Sequence, residues 1–225
     1  MRYPGGKGKC YQRLINLMPP HSTYIETHLG GGAVLRHKRP AATNIGVDAD
    51  PSVVEAWRAG DWAGCTVVQA DAVAFLREYA ISREVLVYSD PPYLPDCRRN
   101  PKIYRHEYSR PDHVNLLNVL ATLPCMVMIS GYDSALYEAR LTGWRKETFP
   151  AKTHVDVREE CVWMNFPPPT TLHDPSFLGD TFRDRQTIRR RHDRMVDKFD
   201  RMDVVERGHV LAMLNSRFGR QEATP

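Results

Sequence analysis

The sequence predicts an α/β protein: a mostly parallel, doubly wound sheet closed by antiparallel strands and followed by a basic helical hairpin. Three observations lead there. Short apolar runs alternate with helical patterns from Thr23 to Ser130, as they do where each parallel strand needs a crossover helix. Glu26, Asp48, Asp71 and Asp90 all fall at the carboxyl ends of those runs, the edge at which such sheets bind ligands. After Pro167-Pro168-Pro169 the composition changes to a long, basic helical pattern. The chain therefore divides into a sheet domain, 1–169, and a helical extension, 177–218.

Composition narrows the class. The 225 residues are 42% hydrophobic and 26% charged, the balance of a globular protein with a sizeable core. No apolar run is long enough to cross a bilayer, and MRYPGGKGKC lacks the apolar centre of a secretory leader. A cytoplasmic protein without a membrane partner is expected. Five cysteines, widely spaced and without C-x-x-C, argue against a disulfide framework or a structural zinc, and nine histidines without H-E-x-x-H argue for no metal. A net charge of +4 permits a nucleic-acid partner without requiring one.

Each element has a local reason. Gly5 and Gly6 let the backbone approach a ligand closely, with Lys7 supplying charge beside them. A helix is expected over Lys9–Leu17, stopped by Pro19-Pro20. Thr23–Glu26 reads as a strand, and His28-Leu29-Gly30-Gly31-Gly32 as a glycine turn into a helix over Ala33–Lys38, the arrangement that admits a ligand at a helix N-terminus. Leu35 breaks G-x-G-x-x-G and no G-K-[ST] follows, which weakens a pyrophosphate fingerprint and excludes a P-loop. Glu26 beside the turn suits a cationic ligand better than a phosphate. Asn44–Val47 is a second strand, ending in Asp48-Ala49-Asp50. Asp48 is placed to accept from a ribose diol, and Asp50 to cap a helix over Pro51–Arg58. A third strand, Thr66–Gln69, leads through Asp71 to a helix over Ala72–Tyr79.

The fourth run, VLVYSDPPYL from Val85 to Leu94, is the centre of the chain's chemistry. Val85–Tyr88 is a buried strand that stops at Ser89 and Asp90. Pro91 and Pro92 hold the residues before them extended and donate no backbone hydrogen bond. The strand end presents a carboxylate, free carbonyls and the Tyr93 ring, which together suit a planar base carrying an exocyclic amino group. A Pro-Pro turn with Tyr93 in an ordinary core is the alternative. Residues 95–113 have no apolar period; Arg98, Arg99, Lys102, Arg105 and Arg110 are interleaved with Tyr104 and Tyr108. That pattern suits a phosphate backbone and displaced bases, or a plain solvated loop. Asp112–Leu123 is an amphipathic helix, Cys125–Ser130 a buried strand, and Trp144–Phe149 with Cys161–Phe166 a closing pair. In the extension, Met195, Phe199 and Met202 mark a packing face, and Val204–Leu214 is a second helix. Arg189, Arg190 and Arg191 form a charged face suited to nucleic acid or to solvent.

Taken in order, YPGGK, ETHLGGGAV, VDAD, QADAVAFL, YSDPPYL and ISGYD resemble the Dam-like family of adenine-N6 DNA methyltransferases over about residues 1–166. The resemblance implies a Rossmann-like, S-adenosylmethionine-dependent methyltransferase sheet and double-stranded DNA as partner. It implies Tyr3, Gly5, Gly6 and Lys7 against the cofactor. Glu26, His28 and the turn containing Gly30 and Gly32 would lie near its methionine portion, Asp48 on the ribose and Asp71 on its adenine. Asp90, Pro91, Pro92 and Tyr93 become the catalytic strand end, with Asp90 between cofactor and target base. Two departures stand out. Thr27-His28 occupies the place of the family's common Pro-Phe, and only the 41 residues 49–89 separate Asp48 from Asp90, too few for the recognition insert of larger members. Recognition is then expected from residues 95–113, the C-terminal helices or the second subunit of a homodimer.

The implied chemistry is direct transfer. The lone pair of adenine N6 is delocalised into the ring, so the nitrogen is a poor nucleophile. The Asp90 carboxylate and the Pro91 carbonyl accept its two N–H bonds and favour a pyramidal nitrogen facing the methyl, with Tyr93 stacked on a base flipped from the duplex. An RNA adenine or cytosine-N4 methyltransferase would share the motif, and a non-catalytic DNA-binding relic would share the fold. Intact Lys7, Asp48, Asp90 and Tyr93 argue against the relic.

Overall fold

A computed structural model describes residues 6–8, 10–60, 62, 64–98, 105–152 and 157–219. The chain divides into two units, Met1–Ser176 and Phe177–Pro225.

The first unit is built on seven strands: β1 (Thr23–Thr27), β2 (Thr43–Asp48), β3 (Thr66–Gln69), β4 (Val85–Ser89), β5 (Met126–Gly131), β6 (Arg145–Lys152) and β7 (Val157–Met164). They form one sheet in the order β3-β2-β1-β4-β5-β7-β6. The first five pair with one another in parallel, and β7 runs antiparallel to both β5 and β6. This is the expected fold class, a mostly parallel Rossmann-like sheet with antiparallel closing strands. The chain builds from β1 outward to β3, returns to β4 beside β1, and then builds the other half. The order therefore reverses between β1 and β4, the switch point at which such sheets open a crevice. Register there pairs Thr27 with Ser89, which sets His28 and Asp90 side by side at the carboxyl edge.

The sequence accounts for most of the elements. All five residues of β4 are buried, because a central parallel strand is covered on both faces and reads as a continuous apolar run. The helices are α1 (Tyr11–Ile15), α2 (Ala33–His37), α3 (Pro51–Arg58), α4 (Ala72–Glu78), α5 (Arg110–Thr122) and α6 (Ala135–Arg140). Asp50 caps α3 and Asp71 caps α4 through their first backbone amides. A Ser109–Asp112 capping box starts α5 at Arg110, two residues before the expected Asp112. Leu116, Leu117 and Leu120 of α5 then pack with Ile25, Val87, Val127 and Trp163 in one core. Burial of each such leucine is worth about 1.5–3 kcal/mol.

Four elements depart from expectation. The first helix spans Tyr11–Ile15 rather than Lys9–Leu17, and α6, capped by Ser134, had no periodic signal in its six residues. The closing strands are longer than Trp144–Phe149 and Cys161–Phe166: β6 and β7 pair from Arg145 opposite Met164 to Lys152 opposite Val157. Backbone pairing rather than apolar burial extends them, so a search for apolar runs stops short. Pro150 is tolerated because β6 lies at the sheet edge.

The second unit holds α7 (Phe182–Asp200) and α8 (Val204–Phe218), joined by Arg201–Asp203. Neither contains a buried side chain. Met195 is 55% exposed, and Phe199 and Met202 are half-buried. The expected hairpin packing face is therefore corrected: with 11 of its 19 residues charged, α7 carries too little apolar surface to close a core with α8.

Candidate active site

At the switch point a cleft of about 710 Å³, its open mouth included, is lined by Gly6, Lys7, Glu26, His28, the Gly30–Gly32 turn, Asp48, Asp90, Pro91, Pro92, His106 and Tyr108 among others. The glycine turn is shaped for the cleft. Gly30 and Gly32 have φ of 46° and 56°, the left-handed region that side chains rarely adopt. A Cβ on Gly32 would stand 2.2 Å from Trp57 Cζ2. The Gly30 amide donates to Asp48 Oδ2 at 2.8 Å, and its carbonyl accepts from Trp57 Nε1 at 2.9 Å. Strand ends β1 and β2 are thereby tied together around an open backbone loop.

Four acids stand at this edge, each differently employed. Glu26 is buried; its Oε2 accepts from the Tyr24 hydroxyl and the Leu35 amide, both at 2.9 Å. Burial pushes its carboxyl up to about 7. Asp48 accepts one amide on each oxygen, from Gly30 and Asp50, and keeps a second lone pair on each; burial raises its pKa as well. Asp71 caps α4 through Oδ1, while Oδ2 accepts from the Tyr108 hydroxyl at 3.4 Å. Asp90 accepts from Lys7 Nζ at 2.6 Å through Oδ1, and Oδ2 takes no hydrogen bond from the described residues.

Behind Asp90 lies a charged cluster. Lys7 donates to Asp90 Oδ1 and to the Tyr93 hydroxyl, both at 2.6 Å, and its ammonium is ion-paired with Glu160 Oε1 at 2.9 Å. The Tyr93 hydroxyl in turn donates to Glu160 Oε1. Burial works against the Lys7 ammonium, but Asp90 and Glu160 outweigh it and hold its pKa well above the usual lysine range. Burial pushes Asp90 up to about 6, with Lys7 pulling it down and Glu160 adding to the rise.

Most of the expected cofactor residues converge: Gly6, Lys7, Glu26, His28, Gly30, Gly32, Asp48, Asp90, Pro91 and Pro92 share one cleft, with Asp71 bonded to its Tyr108 wall. Tyr3, Gly5, Arg99, Lys102 and Tyr104 lie outside the described residues. The residues expected on the target base or the nucleic acid stand as follows. Tyr93 is buried rather than open to a stacking base, its ring edge-on to Tyr132 at 4.6 Å and its hydroxyl held in the Lys7–Glu160 cluster. Arg98, expected on nucleic acid, has a 3% exposed side chain and is bonded through both terminal nitrogens to Glu107. Tyr108 forms part of the cleft wall, edge-on to His28 at 5.0 Å. Arg105 is 73% exposed and reaches Asp50 and Ser52. Arg189, Arg190 and Arg191 are exposed on α7.

His28 has φ of 60°, unusual for a side chain of this size. Its Nδ1 lies 3.2 Å from Thr27 Oγ1 and 3.4 Å from Ser89 Oγ, and Nε2 has no partner among the described residues. Burial lowers its pKa to about 4, so the imidazole is neutral near pH 7. Sequence reasoning missed Glu160. It closes the charged run Arg158-Glu159-Glu160 directly before the apolar residues of β7, and the expected strand began one residue later. Among the described residues no three His, Cys, Asp or Glu are grouped to hold a metal, and no helix is long and apolar enough to cross a membrane.

No family model matches the chain, and no curated protein matches it in sequence. Among solved structures it is similar to the 23S rRNA methyltransferase ErmE, at 13% identity over 85% of this chain and 88% of that one, with a TM-score of 0.49. It is also similar to M. capricolum TrmK in complex with S-adenosyl-homocysteine, at 6% identity over 91% and 93%, TM-score 0.46. The magnesium protoporphyrin IX methyltransferase of Synechocystis PCC 6803 with bound SAM is similar at 12% identity over 69% and 80%, TM-score 0.45.

Proposed function

We propose that the protein is an S-adenosylmethionine-dependent methyltransferase that modifies the N6 amino group of adenine in DNA. The observation that carries this reading is the position of Asp90. It stands at the switch point with one oxygen held by Lys7 and the other open, directly before the two Pro91-Pro92 carbonyls and beside the glycine turn.

The residues present fit the cofactor. Its positive charge is matched by Glu26 and Asp90, and the Gly30–Gly32 backbone that lines the cleft admits a ligand closely. Asp48 retains acceptor capacity for a diol, and Asp71 stands by the Tyr108 wall for an amino-bearing ring. When bound, the cofactor supplies an electrophilic methyl on a sulfonium. Asp90 Oδ2 and the Pro91 carbonyl accept the two N–H bonds of the target amino group, which orients its lone pair toward the cleft. Tyr93, buried, supports Lys7 in place of the stacking role expected for it. The exposed arginines of α7 are assigned to the phosphate backbone.

Incubation with methyl-labelled S-adenosylmethionine and unmethylated DNA or RNA, followed by nucleoside digestion, tests this. N6-methyladenine from DNA is the expected product. N6-methyladenine from RNA alone, or N4-methylcytosine, moves the substrate class but keeps the cofactor. No binding of the cofactor overturns the enzyme reading and leaves the DNA-binding relic.

A further inference from the structure

Glu160 has no part in the cleft, yet it is the second carboxylate on Lys7. It projects from β7, 5% exposed, and on one oxygen both accepts from the Tyr93 hydroxyl and pairs with the Lys7 ammonium. Its other oxygen lies 3.7 Å from Cys10 Sγ. Two carboxylates thus share one ammonium in a buried cluster. Without Glu160, the Tyr93 hydroxyl would lose its acceptor and, among the described residues, Lys7 would be paired with Asp90 alone.

We propose that Glu160 is a positioning residue for methyl transfer: its carboxylate shares the Lys7 ammonium with Asp90 and accepts the Tyr93 hydroxyl, so that Lys7 is not spent on Asp90 alone and Asp90 keeps an oxygen for the target amino group. The inference rests on the proposed function. It also explains why a lysine can sit against the catalytic carboxylate without quenching it as an acceptor, since Glu160 draws off part of the ammonium's charge. The charged groups facing Asp90 are Lys7 from the N-terminal segment, Glu26 from β1 and Glu160 from β7; the His28 imidazole after β1 is neutral, its pKa lowered by burial, and Cys10 and the phenols of Tyr24, Tyr88, Tyr93 and Tyr137 are neutral there, their pKa values all raised by burial. Of the carboxylates, Glu160 acts on Asp90 in the direction that favours its protonated form.

The test follows the Asp90 carboxyl by carbon NMR in aspartate-labelled protein, alongside methyl transfer, from about pH 5 to pH 9. Glu160→Gln keeps the shape and removes the charge. Its Asp90 midpoint should fall by about one pH unit, the acid limb of kcat should move down with it, and kcat near neutral pH should fall about tenfold with KM for the cofactor unchanged. Glu160→Asp keeps the charge and shortens the reach; kcat should fall while the acid limb stays. Wild-type midpoint and rate in Glu160→Gln overturn the proposal, as does a wild-type Asp90 that titrates like an ordinary carboxylate. Where Glu160→Gln does not fold, the wild-type titration and Glu160→Asp decide, an unchanged rate in the latter counting against it. The resonance needs no substrate, so failure of the wild type to transfer a methyl strikes the proposed function and not the coupling of Glu160 to Asp90.

Discussion

Asp90 is anchored on one side and open on the other, and its replacement separates chemistry from folding. In Asp90→Ala the Lys7 ammonium keeps Glu160 at 2.9 Å, so no buried charge is left unpaired and the protein should still melt cooperatively. Transfer should fall by about a thousandfold or more, because the acceptor for the amino group is gone; activity within tenfold of wild type would refute the assignment. Glu26 supplies a pH prediction. Its folded pKa of about 7 lies above the ordinary glutamate value of 4.5, so the folded state holds a proton that the unfolded state releases. That contribution is fully present below about pH 4.5 and is lost as pH rises through 7. Glu26→Gln should therefore gain on the order of 3 kcal/mol over wild type at pH 8 relative to pH 4, read from denaturant midpoints at both values. The same ionisation should strengthen binding of the cationic cofactor between about pH 5.5 and 7.5 while leaving that of its neutral thioether product nearly level, which calorimetry would resolve. At this scale the sequence placed Glu26, Asp48, Asp71 and Asp90 at strand ends. It could not show that Tyr93 turns inward, because burial of one ring depends on Lys7, Tyr132 and Glu160, which lie 86, 39 and 67 positions away.

The glycine turn and α5 carry the predictions for elements. Gly32→Ala meets Trp57 at 2.2 Å with φ of 56°, so the turn must shift. Cofactor affinity should drop at least tenfold and stability by roughly 1–3 kcal/mol; unaltered affinity would remove the turn from the site. Leu120→Ala, in the core under β4 and β5, should cost roughly 2–5 kcal/mol by chemical denaturation without altering the cofactor Kd. Elements with a continuous apolar run or a caps-and-period pattern were legible, β4 and α3 above all. Those whose strength comes from pairing were not: Pro150–Lys152 of β6 and Val157–Glu160 of β7 make no continuous apolar run and are held by register, and register is a property of two segments at once.

For the whole molecule, the basic helix α7 sets the expected dependence on salt. Replacing Arg189, Arg190 and Arg191 by glutamine should weaken DNA binding and flatten the slope of log affinity against log salt by about one for each arginine that touches a phosphate. Titration at several salt concentrations reads this directly, and an unchanged slope returns α7 to plain solvent contact. The alternation of apolar runs and helices determined a parallel α/β sheet, and the acids at the run ends determined which edge would bind a ligand, because strand direction alone places those ends together. The tertiary structure decided the rest. Strand order put β1 beside β4 and so brought His28 to Asp90; the long β6–β7 pairing delivered Glu160 to Lys7; and the absence of any buried side chain in α7 and α8 undid a packing face that their spacing had suggested. Local pattern specifies what each segment is, whereas which segments meet depends on the sum of contacts between residues far apart in the chain.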